Sequence, residues 1–226
     1  MPAKNPLGGK RVKAAALTSR KKRKASSQQW LMRQMNDPYV HAAKEKGFRA
    51  RAAFKLIEID QQYKLLRAGM VVVDLGAAPG SWCQVVSQKI GGKGKLVGID
   101  LLPIDPMAQA IFLHGDFTDD ATQEKLIELV DGKLDLVLSD MAPNTTGHAK
   151  TDHMRIMALA EMAFDWASHH LKTGGHFVCK LFQGGESGDF HKTLQKHFAK
   201  VNYAKPSASR AGSSEVYLVA TGFKGI

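Results

Sequence analysis

The chain is poor in cysteine and has no long apolar run. Its two cysteines, Cys83 and Cys179, are far apart and form no CxxC pair, which argues against both a zinc site and a disulfide framework. No stretch of 18 apolar residues is present, so we expect neither a membrane span nor a signal-peptide core. A protein of the reducing cytoplasm is the simplest interpretation.

Acidic residues are absent from the first 36 positions. This segment holds ten Lys or Arg residues before the first acid, Asp37, and the whole chain of 226 residues has a formal net charge of +11. Such a charge balance favours a polyanionic partner. Residues 1–25 are predicted to form a disordered basic arm, and three interpretations of it stay open: an arm that binds nucleic acid, a solvated tail, or a targeting peptide.

The length predicts one domain beyond the arm, spanning residues 26–226. Its first part, residues 26–63, is predicted to be a basic helical segment. A short helix over 27–36 ends at Asp37-Pro38, and further helical segments cover 39–63 with Gly47 as a joint. Residues 64–226 are predicted to form the core of the domain.

From Met70 onward, short apolar runs alternate with amphipathic segments. Strands alternating with helices predict an α/β fold with a mostly parallel seven-stranded sheet and helices on both faces. The last two strands leave no room for a helix between them, so we expect them to form a closing antiparallel hairpin. The predicted strands are 70–75, 95–100, 110–114, 134–139, 175–181, 199–204 and 215–221, and the predicted helices are 81–90, 120–130, 151–171 and 187–198.

Residues 72–82, VVDLGAAPGSW, predict a strand that runs into a glycine-rich turn and then a helix. Gly76 and Gly80 would let a ligand approach the backbone, and the start of the helix offers free N–H groups. The segment is not GxGxxG and lacks the GK[ST] of a phosphate loop. We therefore favour a nucleoside-type ligand without phosphates over a turn that binds nothing, and S-adenosylmethionine (SAM) fits best.

Polar residues end several of the predicted strands, at the edge where open α/β sheets bind their ligands. These residues are Asp74, Asp100, Asp116, Asp140 and Lys180. A single acid there is often a helix N-cap, but four acids and a lysine at one edge favour a ligand site. Asp100 follows the glycine turn by about 20 residues, the spacing at which a ribose diol is commonly held.

Lys180 ends an apolar strand, so we expect its ammonium group to be partly desolvated and to act as the base for a ribose 2′-hydroxyl. Glu215 could steer such a lysine, although Glu215 and Lys55 taken singly would be ordinary surface charges. The turn over 140–144, DMAPN, has neither the aromatic residue typical of exocyclic-amine methylation nor the cysteine needed at C5 of cytosine. No HxH or HExxH spacing occurs, and we expect no metal site.

Several motifs appear together, in order and at matching spacing. From Arg49 to the C-terminus, the chain closely resembles the FtsJ/RrmJ family of SAM-dependent ribose 2′-O-methyltransferases, above all its bacterial ribosomal (RlmE) branch. Ser81 stands where that family usually has a third glycine, a small-for-small change. The matching segments are RARAAFKL, DLGAAPGSWCQV, IDLLPIDP, GDF, SDMAPN, FVCKLFQG and SSEVYLVATG.

The resemblance implies a Rossmann-like SAM-dependent methyltransferase fold and a catalytic tetrad in which Lys180 accepts the proton. By motif, the tetrad falls on Lys55, Asp140, Lys180 and Glu215. With Gly76 of the turn added, the expected SAM-binding residues are Gly76, Gly80, Trp82, Asp100, Asp116 and Asp140.

The implied reaction is 2′-O-methylation of one uridine in the A-loop of 23S rRNA, within the assembled large (50S) ribosomal subunit. Two alternatives stay open. One keeps the chemistry on another RNA, a tRNA anticodon loop or mitochondrial rRNA. The other is an RNA-binding ribosome-assembly factor without catalysis, against which the intact tetrad argues. We expect a cytoplasmic monomer that has rRNA as its partner and does not bind a membrane.

Overall fold

The computed structural model describes residues 35–183, 187–210 and 212–226. The predicted arm over 1–25 and most of the predicted helix over 27–36 lie outside these ranges. The helices are α1 Pro38–Glu45, α2 Ala53–Tyr63, α3 Ser81–Ile90, α4 Asp120–Val130, α5 Ala149–His170 and α6 Gly188–His197. The strands are β1 Val71–Leu75, β2 Lys95–Asp100, β3 Ile111–His114, β4 Leu134–Ser139, β5 Leu171–Phe182, β6 Phe198–Ala204 and β7 Glu215–Phe223.

The seven strands form one sheet in the order β3-β2-β1-β4-β5-β7-β6. Neighbouring strands from β3 to β5 in this order pair in parallel. Strand β7 lies between β5 and β6 and is antiparallel to both. The mostly parallel sheet and its closing antiparallel hairpin are therefore confirmed. Strand order reverses between β1 and β4, and ligands of open α/β sheets bind at the carboxyl edge beside such a switch.

Two apolar cores cover the two faces of the sheet. Successive strand residues point to opposite faces, so Val73 and Leu75 of β1 pack with α4, α5 and α6, while Val72 packs with α2 and α3. We call the second of these the α2 face. Tyr217 of β7 lies on it, and its direct cross-strand partner on β5 is Lys180. The helix that carries Lys55 is thereby brought over the polar ends of β5 and β7.

Element boundaries differ from the predicted ones where local signals were ambiguous. Strand β5 begins at Leu171 instead of residue 175, because Leu171 already pairs with Leu134 of β4. The register then shifts, and regular pairing resumes with His176 opposite Leu136. Gly47, with φ +71°, separates α1 from α2 as predicted. Asp37 also begins a helix: its carboxylate caps α1 by accepting the backbone N–H of Tyr39 at 3.0 Å.

Candidate active site

The glycine turn connects β1 to α3 at the carboxyl edge of the sheet. Gly76 and Gly80 have φ values of +77° and +97°, in the region that favours glycine. A Cβ on Gly76 would lie 2.9 Å from Met141, and one on Gly80 would lie 2.6 Å from Arg49 Nη1. Both glycines are therefore required by backbone conformation and by close protein neighbours, in addition to any need of a ligand.

Asp100 and Asp116 both end up at this edge. The Asp100 carboxylate joins the glycine turn to the segment after β2, because Oδ2 accepts from Ala78 N at 2.9 Å and Oδ1 accepts from Leu102 N at 2.8 Å. Asp116 Oδ1 accepts from the backbone N–H and the hydroxyl of Thr118, at 2.9 and 2.8 Å. A carboxylate has about four acceptor positions, so each group keeps capacity to bind a ligand hydroxyl or amine.

Lys180 and Asp140 form one half of the predicted tetrad. The Lys180 side chain is only 9% exposed, and its Nζ lies 3.1 Å from Asp140 Oδ1. The same ammonium donates to the Asp140 carbonyl oxygen. Asp140 is fixed directly after β4 by its own backbone N–H, which donates to the Leu75 carbonyl of β1 at 3.1 Å. The expected desolvation of Lys180 and its contact with Asp140 are thus both present.

Lys55 and Glu215 form the other half. Although 160 positions separate them in the chain, Lys55 Nζ lies 2.8 Å from each carboxylate oxygen of Glu215. The Ser209 hydroxyl donates to Glu215 Oε1 at 2.9 Å. Glu215 therefore pairs with Lys55, whereas the lysine that it was expected to steer, Lys180, pairs with Asp140.

Tyr217 connects the two halves, and sequence reasoning missed it. Its hydroxyl donates to Asp140 Oδ1 at 2.7 Å and accepts from Lys55 Nζ at 3.3 Å. Burial raises the pKa of Tyr217 well above its usual 10, and the neighbouring carboxylates add to that shift. The hydroxyl thus stays protonated and remains a donor. Side chains alternate between the two faces of a strand, so residue 217 of β7 lies on the same face as Glu215. This alternation is the sequence signal that points to Tyr217.

The Trp82 side chain is buried within the α2-face core instead of lining the edge. It is 2% exposed, its indole N–H donates to the Ala52 carbonyl at 2.9 Å, and its ring centroid lies 5.6 Å from that of Tyr217. What Trp82 can offer a ligand is its backbone N–H, since it is the second residue of α3 and the first N–H groups of a helix lack intrahelical partners.

Asp74 lies one residue before the end of β1 and is fully buried. Its Oδ2 accepts from the Cys83 thiol at 3.2 Å, and its Oδ1 has no hydrogen-bond partner among the described residues. Burial raises the pKa of Asp74 to about 8. Asp74 is thus mainly a buried neutral acid near pH 7.

Within residues 35–183, 187–210 and 212–226, no cluster of three or more His, Cys, Asp or Glu side chains could hold a metal ion. No helix in the same ranges is long and apolar enough to cross a bilayer.

The sheet order, the glycine turn and the strand-end acids define the Rossmann-like class of methyltransferases. Comparison with known proteins specifies the class further: the model of the FtsJ-like methyltransferase family matches residues 48–223. This match covers more than three quarters of the chain. The protein belongs to the FtsJ-like methyltransferase family.

Curated relatives match over nearly the whole length. The chain is 56% identical over 218 residues to the ribosomal RNA large subunit methyltransferase E of Acidiphilium cryptum, covering 96% of each protein. It is 52% identical over 225 residues to the protein of that name from a Caulobacter species, covering 98% of this chain and 99% of the other. A Plasmodium falciparum structure described as a ribosomal RNA methyltransferase superposes with a TM-score of 0.71 at 31% identity, covering 79% of this chain and all of the other.

Proposed function

We propose that the protein transfers a methyl group from SAM to the ribose 2′-oxygen of a uridine in the A-loop of 23S rRNA, within the large ribosomal subunit. The observation that carries the proposal is the contact network of Lys180, Asp140, Tyr217, Lys55 and Glu215 at the carboxyl edge. The names of the relatives support the large-subunit rRNA as substrate.

The edge beside the glycine turn fits SAM in its donor and acceptor groups. Asp100 has acceptor capacity left for the ribose diol, and Asp116 for the adenine amine. Gly76, Gly80 and the backbone of Trp82 form the adjoining turn and helix start. When bound, the cofactor supplies an electrophilic methyl group on a sulfonium.

The chain itself supplies orientation and proton removal. Lys180 takes the 2′-hydroxyl proton, which frees the oxygen to accept the methyl group that bound SAM would supply, with the C–S bond breaking and S-adenosylhomocysteine leaving, and with no covalent enzyme intermediate. Asp140 fixes the position of Lys180. The Tyr217 hydroxyl donates to the Asp140 oxygen that faces Lys180, which fixes the orientation of that carboxylate. Lys55, neutralised by Glu215, positions the Tyr217 hydroxyl.

The remaining parts of the proposal concern the context of the reaction. Residues 1–25 add phosphate contacts, residues 26–226 act as one methyltransferase domain, and the protein works as a cytoplasmic monomer on the large subunit. The charge distribution supports the first of these, because ten basic residues precede the first acid.

The test is single-turnover methyl transfer to unmethylated large subunits at saturating SAM, with the modified nucleotide mapped. Lys180→Ala should lower the rate about 10²–10⁴-fold, the usual contribution of a general base. Lys180→Arg should fail as well, because a guanidinium stays protonated. The matched control is Lys172→Ala, which removes an exposed lysine paired with Asp135 at the other end of β5 and should leave the rate unchanged.

Each contrary result has a distinct meaning. A Lys180→Ala rate within a few-fold of wild type would exclude Lys180 as the base. Transfer to tRNA or mitochondrial rRNA in place of the large subunit would move the function to another RNA. If the wild-type protein bound the large subunit but transferred no methyl group to it, the result would favour the alternative of a non-catalytic assembly factor.

A further inference from the structure

Arg49 bridges two segments that meet at the candidate cofactor site. It lies in the loop between α1 and α2, yet its guanidinium donates from Nη1 to the Pro79 carbonyl at 3.0 Å and from Nη2 to the Pro106 carbonyl at 2.9 Å. Pro79 belongs to the glycine turn after β1, and Pro106 belongs to the segment after β2. The guanidinium thus connects the two segments beyond the point where the backbone N–H groups of Gly76 and Ala77 donate to the Ile99 carbonyl at the end of β2.

The loop that carries Arg49 is itself fixed to the start of α3. The Arg49 backbone N–H donates to Gln84 Oε1 at 2.7 Å, and Gln84 Nε2 donates to the Gly47 carbonyl at 3.0 Å. A third bond runs from the Trp82 indole to the Ala52 carbonyl at 2.9 Å. The guanidinium is therefore held in its bridging orientation before any ligand arrives, which reduces the entropy lost when the site is formed.

The space around the guanidinium is closely packed. A Cβ on Gly80 would lie 2.6 Å from Arg49 Nη1 and 3.2 Å from Ile104, and the guanidinium carbon lies 6.0 Å from the centre of the Phe112 ring. Asp100 makes a second connection between the same two segments, through Ala78 N and Leu102 N. Asp100, the residue expected to bind the ribose of the cofactor, and Arg49 thus contact the same pair of loops.

We propose that Arg49 is a positioning residue for the cofactor pocket, which holds the glycine turn and the segment after β2 at the separation that binds SAM. This inference rests on the proposed use of SAM. An arginine in a basic segment would otherwise be assigned to RNA phosphates, but two of its terminal N–H donors are committed to the Pro79 and Pro106 carbonyls. Its loss should therefore weaken cofactor binding and leave RNA binding unchanged.

The experiment measures SAM affinity by calorimetry, RNA affinity at fixed salt, and KM and kcat, in the full-length protein. Arg49→Ala should raise the Kd and the KM for SAM about tenfold, as expected when two hydrogen bonds from a charged group are lost. The kcat at saturating SAM and the RNA affinity should stay near wild type. Arg49→Lys should give an intermediate Kd, because an ammonium lacks the planar fork that reaches both carbonyls. Arg67→Ala, at an exposed arginine between α2 and β1, is the matched control and should change nothing.

The unfolding temperature without SAM shows whether each variant is folded, and if Arg49→Ala is not, Arg49→Lys decides. Wild-type SAM affinity in a folded Arg49 variant would overturn the proposal. Lost RNA affinity with unchanged SAM affinity would overturn it too, in favour of a phosphate contact. If the wild-type protein bound no SAM, the proposed cofactor itself would fail, a result that is distinct from either of these.

Discussion

Tyr217→Phe removes one hydroxyl from the centre of the candidate site and leaves the buried ring in place. The wild-type hydroxyl donates to Asp140 Oδ1 at 2.7 Å and accepts from Lys55 Nζ at 3.3 Å. Without it, Asp140 Oδ1 keeps its contact with Lys180 at 3.1 Å but loses the hydrogen bond that fixes the carboxylate. Asp140, and through it Lys180, is then held less well in the position for proton removal.

The size of the effect follows from the bond that is lost. A hydrogen bond to a charged group contributes about 1.5–3 kcal/mol, which corresponds to roughly 10–150-fold in rate if the bond acts only on proton removal. We expect kcat to fall within that range. The KM for SAM should change little, because the variant keeps the ring that packs against Trp82 beside the glycine turn.

The assay is single-turnover methyl transfer between pH 6 and about 9 at saturating SAM, a range in which Tyr217 itself stays neutral because its pKa lies well above 10. Tyr203→Phe is the control, since that tyrosine is 47% exposed and its hydroxyl bonds only Ser187 among the described partners, at 2.9 Å. A Tyr217→Phe rate equal to wild type at every pH would refute the role given to the hydroxyl.

Three further predictions concern the cofactor, stability and RNA. Asp100→Ala should weaken SAM binding by about 1–3 kcal/mol, the cost of leaving buried polar partners unpaired; unchanged calorimetric affinity in a folded variant would remove Asp100 from the site. Asp74 holds a proton in the folded state up to about pH 8 but loses it near 3.8 when unfolded, so stability falls as pH rises between those values. Asp74→Asn should therefore unfold at a higher temperature than wild type at pH 8, with the difference vanishing toward pH 4; equal unfolding temperatures at pH 8 would contradict the buried proton. Deleting residues 1–25 should leave SAM affinity intact and flatten the salt dependence of RNA binding by about 0.7–0.9 log units per lost phosphate contact; an unchanged slope would make the arm a passive tail.

Most of the fold could be read from local patterns. The strand–helix alternation after Met70 gave the element order, because apolar period and turn residues are properties of short segments. The predicted start of β5 at residue 175 was too late, because Leu171 already pairs with Leu134 of β4, ahead of the irregular register after which regular pairing resumes at His176. The family resemblance likewise gave Lys55, Asp140, Lys180 and Glu215 as candidate site residues, one by one.

The pairing of those side chains was a property of the tertiary structure alone. Alternation along β7 fixes that residues 215 and 217 share a face, but only the packing of α2 over that face brings Lys55 to Glu215 across 160 positions. Burial, too, depends on the assembled layers, which is why Trp82 turns its ring into the core and Asp74 keeps a proton. The sequence determines the chemical type of each residue and, through its periodicity, the face of the strand or helix on which the side chain lies. Which neighbours it meets, and how much water remains around it, is decided only when the sheet closes and the helices cover it.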